Sequence, residues 1–72
     1  MTPGGVSLPV VVNGERRETP ARTLGELCLT LGLDAERIAT AVNGDFVPLA
    51  ARASRRLAAH DQIEIVSPRQ GG

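Results

Sequence analysis

The sequence is poor in the residue types on which many catalytic and metal-binding functions depend. Among its 72 residues there is no lysine, tryptophan or tyrosine, and cysteine, histidine, methionine and phenylalanine occur once each. One histidine and one cysteine cannot supply the four ligands of a structural zinc site, and Cys28 alone cannot form a disulfide within the chain. We therefore expect no bound metal and no disulfide, which suits a reducing, cytoplasmic setting.

Long hydrophobic runs and an excess of one charge are also missing. No run approaches the roughly 18 apolar residues of a transmembrane helix, and residues 1–5 lack the pattern of a signal peptide. We therefore expect no membrane association. The formal net charge is zero, with eight arginines against eight acidic residues, so no basic excess favours nucleic acid as a partner.

The charged side chains form no catalytic constellation in the sequence. Acidic residues occur singly, without the close pair that general acid–base catalysis uses. The protein is therefore expected not to be an enzyme. Arg52, Arg55 and Arg56 form a small basic cluster, which we expect either to be solvated in a loop or to dock onto an acidic patch of a partner.

Two Asn-Gly pairs mark predicted β-turns. Asn-Gly between strand-like residues favours a type I′ turn, because both central residues of that turn need positive φ. Asn13-Gly14 lies between two predicted strands of a hairpin, and Asn43-Gly44 follows a third. The predicted strands are residues 8–12, 15–19 and 38–42, and the short apolar segment is 46–48.

One amphipathic helix is predicted between these turns. Thr23 and Glu26 form a capping box, in which the Thr23 hydroxyl accepts from the Glu26 amide while the Glu26 side chain reaches back. Gly32 is well placed to end a helix of about ten residues, which is too short to be stable alone and must pack on a sheet. The apolar stripe that would pack consists of Leu24, Leu27, Cys28 and Leu31.

The C-terminal half is less regular until its last strand. Residues 50–59 are ambiguous, and we expect an irregular crossover or a short strand near Leu57. His60 is expected to be a solvated turn residue. A final strand is predicted at 62–66, where isoleucines alternate with polar residues.

The order of these elements predicts the fold class. A hairpin, a helix, a strand, a short strand and a last strand form an α+β layout, with a mixed sheet of about four to five strands packed on one main helix. If the first and last strands are parallel neighbours, the topology is the ubiquitin-like β-grasp. We predict a single domain over residues 1–72, with a body at 6–66 and a flexible tail at 67–72.

The sheet face opposite the helix is left open in this layout. Phe46 and Val47 are predicted partner contacts if they lie on that face, since exposed apolar patches mark interaction surfaces. The alternative is that Phe46 folds back over the edge of the core.

The chain ends in Gly71-Gly72 after a short polar segment. Two residues without Cβ atoms can enter a narrow channel and adopt backbone angles closed to other residues. A terminal carboxylate is ionised at neutral pH and is unreactive until it is activated. We therefore expect Gly72 to be a chemical handle, with Gly71 as the residue that threads into a partner and with Arg69 and Gln70 as further partner contacts.

Five short segments occur in order along the chain. They are residues 12–15 (VNGE), 24–27 (LGEL), 41–48 (AVNGDFVP), 61–66 (DQIEIV) and the terminal Gly71-Gly72. Together they resemble the ThiS family, the sulfur carriers of bacterial thiazole (thiamine) biosynthesis, from about Leu8 to Gly72. The chain departs from the family pattern at His60, where a glycine is common, and in its polar segment 67–70.

The resemblance implies a defined chemistry and set of partners. A ThiF-type adenylyltransferase uses ATP and Mg²⁺ to adenylate the carboxylate of Gly72, and the chain itself binds no cofactor. A sulfur-donating enzyme converts the adenylate to a thiocarboxylate, whose sulfur a ThiG-type thiazole synthase takes. The resemblance assigns no chemical role to any other residue, and we expect the free protein to be a monomer.

Three alternatives stay open from the sequence. The small subunit of molybdopterin synthase is also a β-grasp protein ending in Gly-Gly, although its relatives usually carry an aromatic residue and two prolines before the tail. A carrier for another sulfur pathway is the second alternative. A non-catalytic β-grasp interaction domain, with an incidental Gly-Gly, is the third.

Overall fold

The computed structural model describes residues 7–67, which form one mixed sheet with a single α-helix. The strands are β1 (Leu8–Val12), β2 (Glu15–Thr19), β3 (Ala39–Val42), β4 (Asp45–Val47) and β5 (Gln62–Val66), and the helix is α1 (Leu24–Thr30). Two 3₁₀ segments lie in the connections, Ala35–Arg37 between α1 and β3 and Leu49–Ser54 between β4 and β5.

Both Asn-Gly pairs adopt the left-handed backbone that was predicted for them. The φ angles are 51° and 84° at Asn13 and Gly14, and 53° and 88° at Asn43 and Gly44. Positive φ at both central residues is what a type I′ turn requires, and this turn matches the right-handed twist of the strands it joins. The two turns therefore close the β1–β2 and β3–β4 hairpins.

The sheet has the strand order β2-β1-β5-β3-β4. β1 and β5 pair in parallel, and all the other neighbours pair antiparallel. The helix lies in the connection between the β1–β2 hairpin and the rest of the sheet, so the predicted β-grasp topology is confirmed. The last strand, β5, is the central strand of the sheet.

The helix is shorter than the ten residues predicted, and both of its ends are capped. At its start the Thr23 hydroxyl accepts from the Glu26 amide at 3.2 Å, while the Glu26 carboxylate accepts from the amide of Arg22 at 2.7 Å. At its end Gly32, with φ of 73°, donates to the carbonyl of Leu29. Leu33 donates to the carbonyl of Cys28, which completes a Schellman motif and stops the helix after seven residues.

The core lies between α1 and one face of the sheet. Side chains alternate along each strand, so one set faces the helix and the other faces away. The buried apolar residues are Val10, Val12, Ala21, Leu24, Leu27, Cys28, Val42, Val47, Ile63 and Ile65.

The ambiguous segment after β4 is a 3₁₀ segment followed by extended chain. After Leu49–Ser54 the backbone straightens, and Arg56 forms an isolated antiparallel bridge with Thr23. Leu57 then donates to the carbonyl of Arg22 at 2.9 Å. This stretch is the irregular crossover that was predicted, with one bridge next to Leu57 instead of a strand.

Candidate docking face and tail exit

The end of β5 places the C-terminal segment at the middle of the sheet. β5 is central and ends at Val66, and Ser67 is the last residue that the structure describes. The predicted handle residues Gly72 and Gly71, and the predicted partner contacts Arg69 and Gln70, lie outside the described residues. Their roles stay predictions.

The sheet face opposite α1, called here the open face, carries an apolar patch. Phe46 is 69% exposed and Val66 is 59% exposed. In the strand register Ala41 pairs with Phe46 and Ala39 pairs with Val66, and cross-strand partners share a face of the sheet. The patch therefore extends from β4 across β3 to the last residue of β5, immediately before the tail leaves.

Val47 does not belong to the open face, which corrects the prediction that it could contribute to a partner surface with Phe46. Its side chain is 5% exposed and belongs to the core. The carbonyl oxygen of Val47 accepts a hydrogen bond from the Thr40 hydroxyl at 2.8 Å, inside the sheet. Adjacent strand residues point to opposite faces of the sheet, which explains why Phe46 is exposed and Val47 is buried.

Arg52 is buried, so the arginine cluster is not the uniformly solvated or docking surface that was predicted. Its side chain is 4% exposed, whereas Arg56 is exposed. Its guanidinium donates to the hydroxyl of Thr40 at 3.0 Å and to the carbonyl oxygens of Ala35 at 2.8 Å and Ile38 at 2.7 Å. One side chain thereby joins the Leu49–Ser54 segment to β3 and to the loop before it.

Three neutral acceptors satisfy most of the donors of this buried cation. Buried polar groups cost free energy unless they are hydrogen-bonded, and these bonds offset that cost. The only sequence signal was that Arg52 sits among alanines while Arg55 and Arg56 follow serine. That signal is too weak to separate a buried arginine from a solvated one.

Cys28 lies in the core, as its place in the helical stripe predicted. Its side chain is 2% exposed. Burial raises the pKa of the Cys28 thiol above its ordinary value, and the nearby positive charge of Arg52 lowers it by a smaller amount. A buried thiol held in its neutral form is a packing residue and a poor nucleophile.

We expect Cys28 to resist alkylation in the native protein. At pH 8 its reaction with iodoacetamide should be about 100-fold or more slower than that of the same protein in urea, because both access and thiolate formation need local opening. Mass spectrometry over time measures the two rates. Equal rates in the two conditions would show that the thiol is accessible and would reopen a chemical role for it.

The remaining polar groups that could carry chemistry have structural partners or are solvated. Asp61 is 7% exposed, and its carboxylate accepts from the amide of Ala58 at 2.8 Å and from the side chain of Asn43 at 2.9 Å. His60 is exposed in a turn at φ of 70°. Within residues 7–67 no group of three or more histidine, cysteine, aspartate or glutamate side chains could hold a metal ion. No helix in this part of the chain is long and apolar enough to span a membrane.

Two comparisons with known proteins gave a match, one to a family model and one to a solved structure. The model of the ThiS family matches residues 10–72. Among solved structures, the thiamine biosynthesis protein ThiS from Geobacter metallireducens aligns with a TM-score of 0.76 at 23% sequence identity, over 90% of this chain and 100% of that one. No curated protein matches the chain. The structural likeness supports the fold, and because the family match covers most of the sequence, the chain belongs to the ThiS family.

Proposed function

We propose that this protein is a sulfur carrier that supplies the sulfur of the thiazole moiety of thiamine. The observation that carries the proposal is the family match, which spans residues 10–72 and therefore includes Gly71 and Gly72. The solved structure with a similar fold is described as a thiamine biosynthesis protein. The central position of β5, which leads directly into the C-terminal segment, supports the same function.

The proposed chemistry takes place on the carboxylate of Gly72. One of its oxygens attacks the α-phosphorus of ATP, and pyrophosphate leaves. A sulfide-level nucleophile from a sulfur-donating enzyme then attacks the activated carbonyl, and AMP leaves with one of the original carboxylate oxygens. The product is a thiocarboxylate, whose sulfur a ThiG-type thiazole synthase would take.

A ThiF-type adenylyltransferase is the proposed partner for the first step. ATP and Mg²⁺ are its substrate and its metal, since phosphoryl transfer needs charge neutralisation that a metal and basic groups supply. This chain contributes the carboxylate that is adenylated and a C-terminal segment long enough to carry it to the active site. Six extended residues from Ser67 to Gly72 span about 20 Å, which is enough to enter a buried active site.

The open face is the proposed docking surface for these enzymes. Its apolar patch begins at Phe46 and ends at Val66, the residue from which the tail leaves. Exposed aromatic side chains often contribute a large share of binding energy at interfaces. A partner that covers the patch would also have its active site within reach of the tail.

Replacing Phe46 with alanine is expected to weaken docking without unfolding the protein. We expect the KM of the adenylating enzyme for the carrier to rise about tenfold, because an exposed aromatic anchor is lost. Leu29→Ala is the matched control, since Leu29 is 76% exposed on α1, on the opposite side of the sheet. If the two variants raise the KM equally, the open face is not the docking surface.

Intact-mass measurement tests the proposed function. The protein is incubated with its cognate ThiF-type enzyme, ATP, Mg²⁺ and a sulfur source, with a second sample lacking ATP. We expect the mass of the carrier to increase by the replacement of one oxygen with sulfur, in the ATP sample alone. If the mass stays unchanged although the same enzyme is active on another carrier protein, a non-catalytic interaction domain becomes the better interpretation.

The pathway is tested by the enzyme that accepts the sulfur. Thiocarboxylated protein is offered separately to a thiazole synthase and to the large subunit of molybdopterin synthase. We expect sulfur transfer with the first enzyme. Transfer only to the second enzyme would make this protein a molybdopterin-type carrier, and transfer to neither would favour another sulfur pathway.

A further inference from the structure

The side chain of Asn13 continues the sheet beyond the end of β1. The amide of Asn13 donates to the carbonyl of Ile63 at 2.9 Å, and the main chain then turns away into the hairpin. Its carboxamide nitrogen donates to the carbonyl of Ile65 at 3.0 Å, and its carboxamide oxygen accepts from the amide of Ile65 at 2.8 Å. The carboxamide thus supplies the acceptor and the donor that a longer β1 would have offered to Ile65.

This contact lies at the end of β5 from which the tail leaves. Ile65 precedes Val66 and Ser67, the last residues that the structure describes. On the other side of β5, Val66 pairs with Ala39 of β3. The end of β5 is therefore held on both sides, by a strand on one side and by a single side chain on the other.

The direction of β5 at this point determines where the tail can reach. When a partner channel holds the five residues after Ser67 extended, they span about 17 Å, so a swing of about 20° of the end of β5 displaces Gly72 by about 6 Å. Misplacement of a reacting group by far less than that slows a reaction, since the reacting atoms must meet at close to contact distance. A contact that restricts this swing also reduces the conformational entropy that the chain loses on binding.

We propose that Asn13 is a positioning residue for the carrier tail, and that its carboxamide fixes the direction in which the chain leaves β5. The proposal rests on the proposed carrier function. It gives Asn13 a second role besides the positive φ of the hairpin turn.

The chain contains its own control for this role. Asn43 has a φ of 53°, close to the 51° of Asn13, and is likewise followed by glycine. Its carboxamide also makes two hydrogen bonds, accepting from the amide of Gln62 at 2.9 Å and donating to the carboxylate of Asp61 at 2.9 Å. Those bonds hold the start of β5, at the end of the strand away from the tail.

Asn13→Gly and Asn43→Gly form a matched pair of variants. Glycine adopts positive φ freely, so each change removes two side-chain hydrogen bonds and keeps the turn. For adenylation by the cognate ThiF-type enzyme, we expect kcat to fall about three- to tenfold in Asn13→Gly and less than about twofold in Asn43→Gly. The KM for the carrier should change less than kcat, because Phe46 and the rest of the open face on β3 and β4 are unaltered.

Two further readouts separate positioning from stability. Amide exchange at Ile65 should accelerate in Asn13→Gly and not in Asn43→Gly, and Asn13→Asp, which keeps only the acceptor for the Ile65 amide, should recover part of the lost kcat. Equal kcat in the two glycine variants, both folded at the assay temperature, would overturn the proposal. If the unaltered protein is not adenylated at all, the carrier function fails instead, and the exchange data alone then show whether Asn13 holds Ile65.

Discussion

Deleting Gly72 is expected to abolish thiocarboxylate formation while leaving the fold unchanged. The deletion moves the terminal carboxylate back by one residue, about 3.5 Å, so it no longer reaches the position at which it is activated. The folded core ends with β5 at Val66, so the thermal unfolding midpoint should not change. Intact mass after incubation with the adenylating enzyme and a sulfur source measures the loss, and circular dichroism measures the midpoint.

Gly72→Ala separates the position of the carboxylate from the absence of a side chain. This variant keeps the length and the carboxylate but adds a Cβ atom, so we expect slower thiolation instead of none. If the shortened protein is thiolated as fast as the unaltered one, Gly72 is not the acceptor. If both variants lose the fold, the C-terminal segment has a structural role that the account does not include.

Replacing Arg52 with alanine is expected to destabilise the domain by about 3 kcal/mol, because hydrogen bonds from a charged donor are lost and the carbonyl groups of Ala35 and Ile38 lose their partners. A domain of this size rarely has more than about 3–5 kcal/mol of stability, so the variant should be largely unfolded at 37 °C. Urea unfolding followed by circular dichroism measures the change in free energy.

Arg56→Ala is the matched control for this prediction. It removes an arginine side chain that is exposed, so we expect a change below about 0.5 kcal/mol. Arg52→Met tests whether volume alone accounts for the effect, since methionine fills space without donating hydrogen bonds. If Arg52→Met is as stable as the unaltered protein, the hydrogen bonds of Arg52 contribute nothing net and packing is the whole contribution.

The elements that were predicted correctly are specified by residues close together in the sequence. The type I′ turns follow from Asn-Gly pairs, and the helix follows from a capping box, an apolar stripe and Gly32. Each signal lies within a few residues of the structure it specifies. The order of the elements predicted the β-grasp topology on the condition that the first and last strands are parallel neighbours, and the parallel pairing of β1 with β5 meets that condition.

The features that sequence reasoning missed depend on residues far apart in the chain. The contact of Asn13 with Ile65 spans 52 positions, and that of Arg52 with Ala35 spans 17. The helix was predicted too long because Leu31, the last residue of the stripe, is its C-cap: the Leu31 amide still donates to the carbonyl of Leu27, and the chain then turns away at Gly32. The face on which Val47 lies was left open, because a three-residue strand is too short to show alternation on its own.

The candidate site likewise has one part that could be predicted from the sequence and one part that could not. The family resemblance names Gly71 and Gly72 from their position alone. The open face needed the register of β3, β4 and β5, which brings Phe46 and Val66 to the same side. The sequence alone does not indicate that these two residues, which are 20 positions apart, lie on the same face.

The most direct test of the account is to locate the sulfur within the chain. Protein incubated with the adenylating enzyme, ATP, Mg²⁺ and a sulfur source is cut after glutamate, which releases residues 65–72 separately from the fragment that contains Cys28. We expect one oxygen to be replaced by sulfur in 65–72, fragmentation to place that sulfur on Gly72, and the Cys28 fragment to keep its mass. Sulfur on the Cys28 fragment, or none on 65–72 when the enzyme is active, would contradict it.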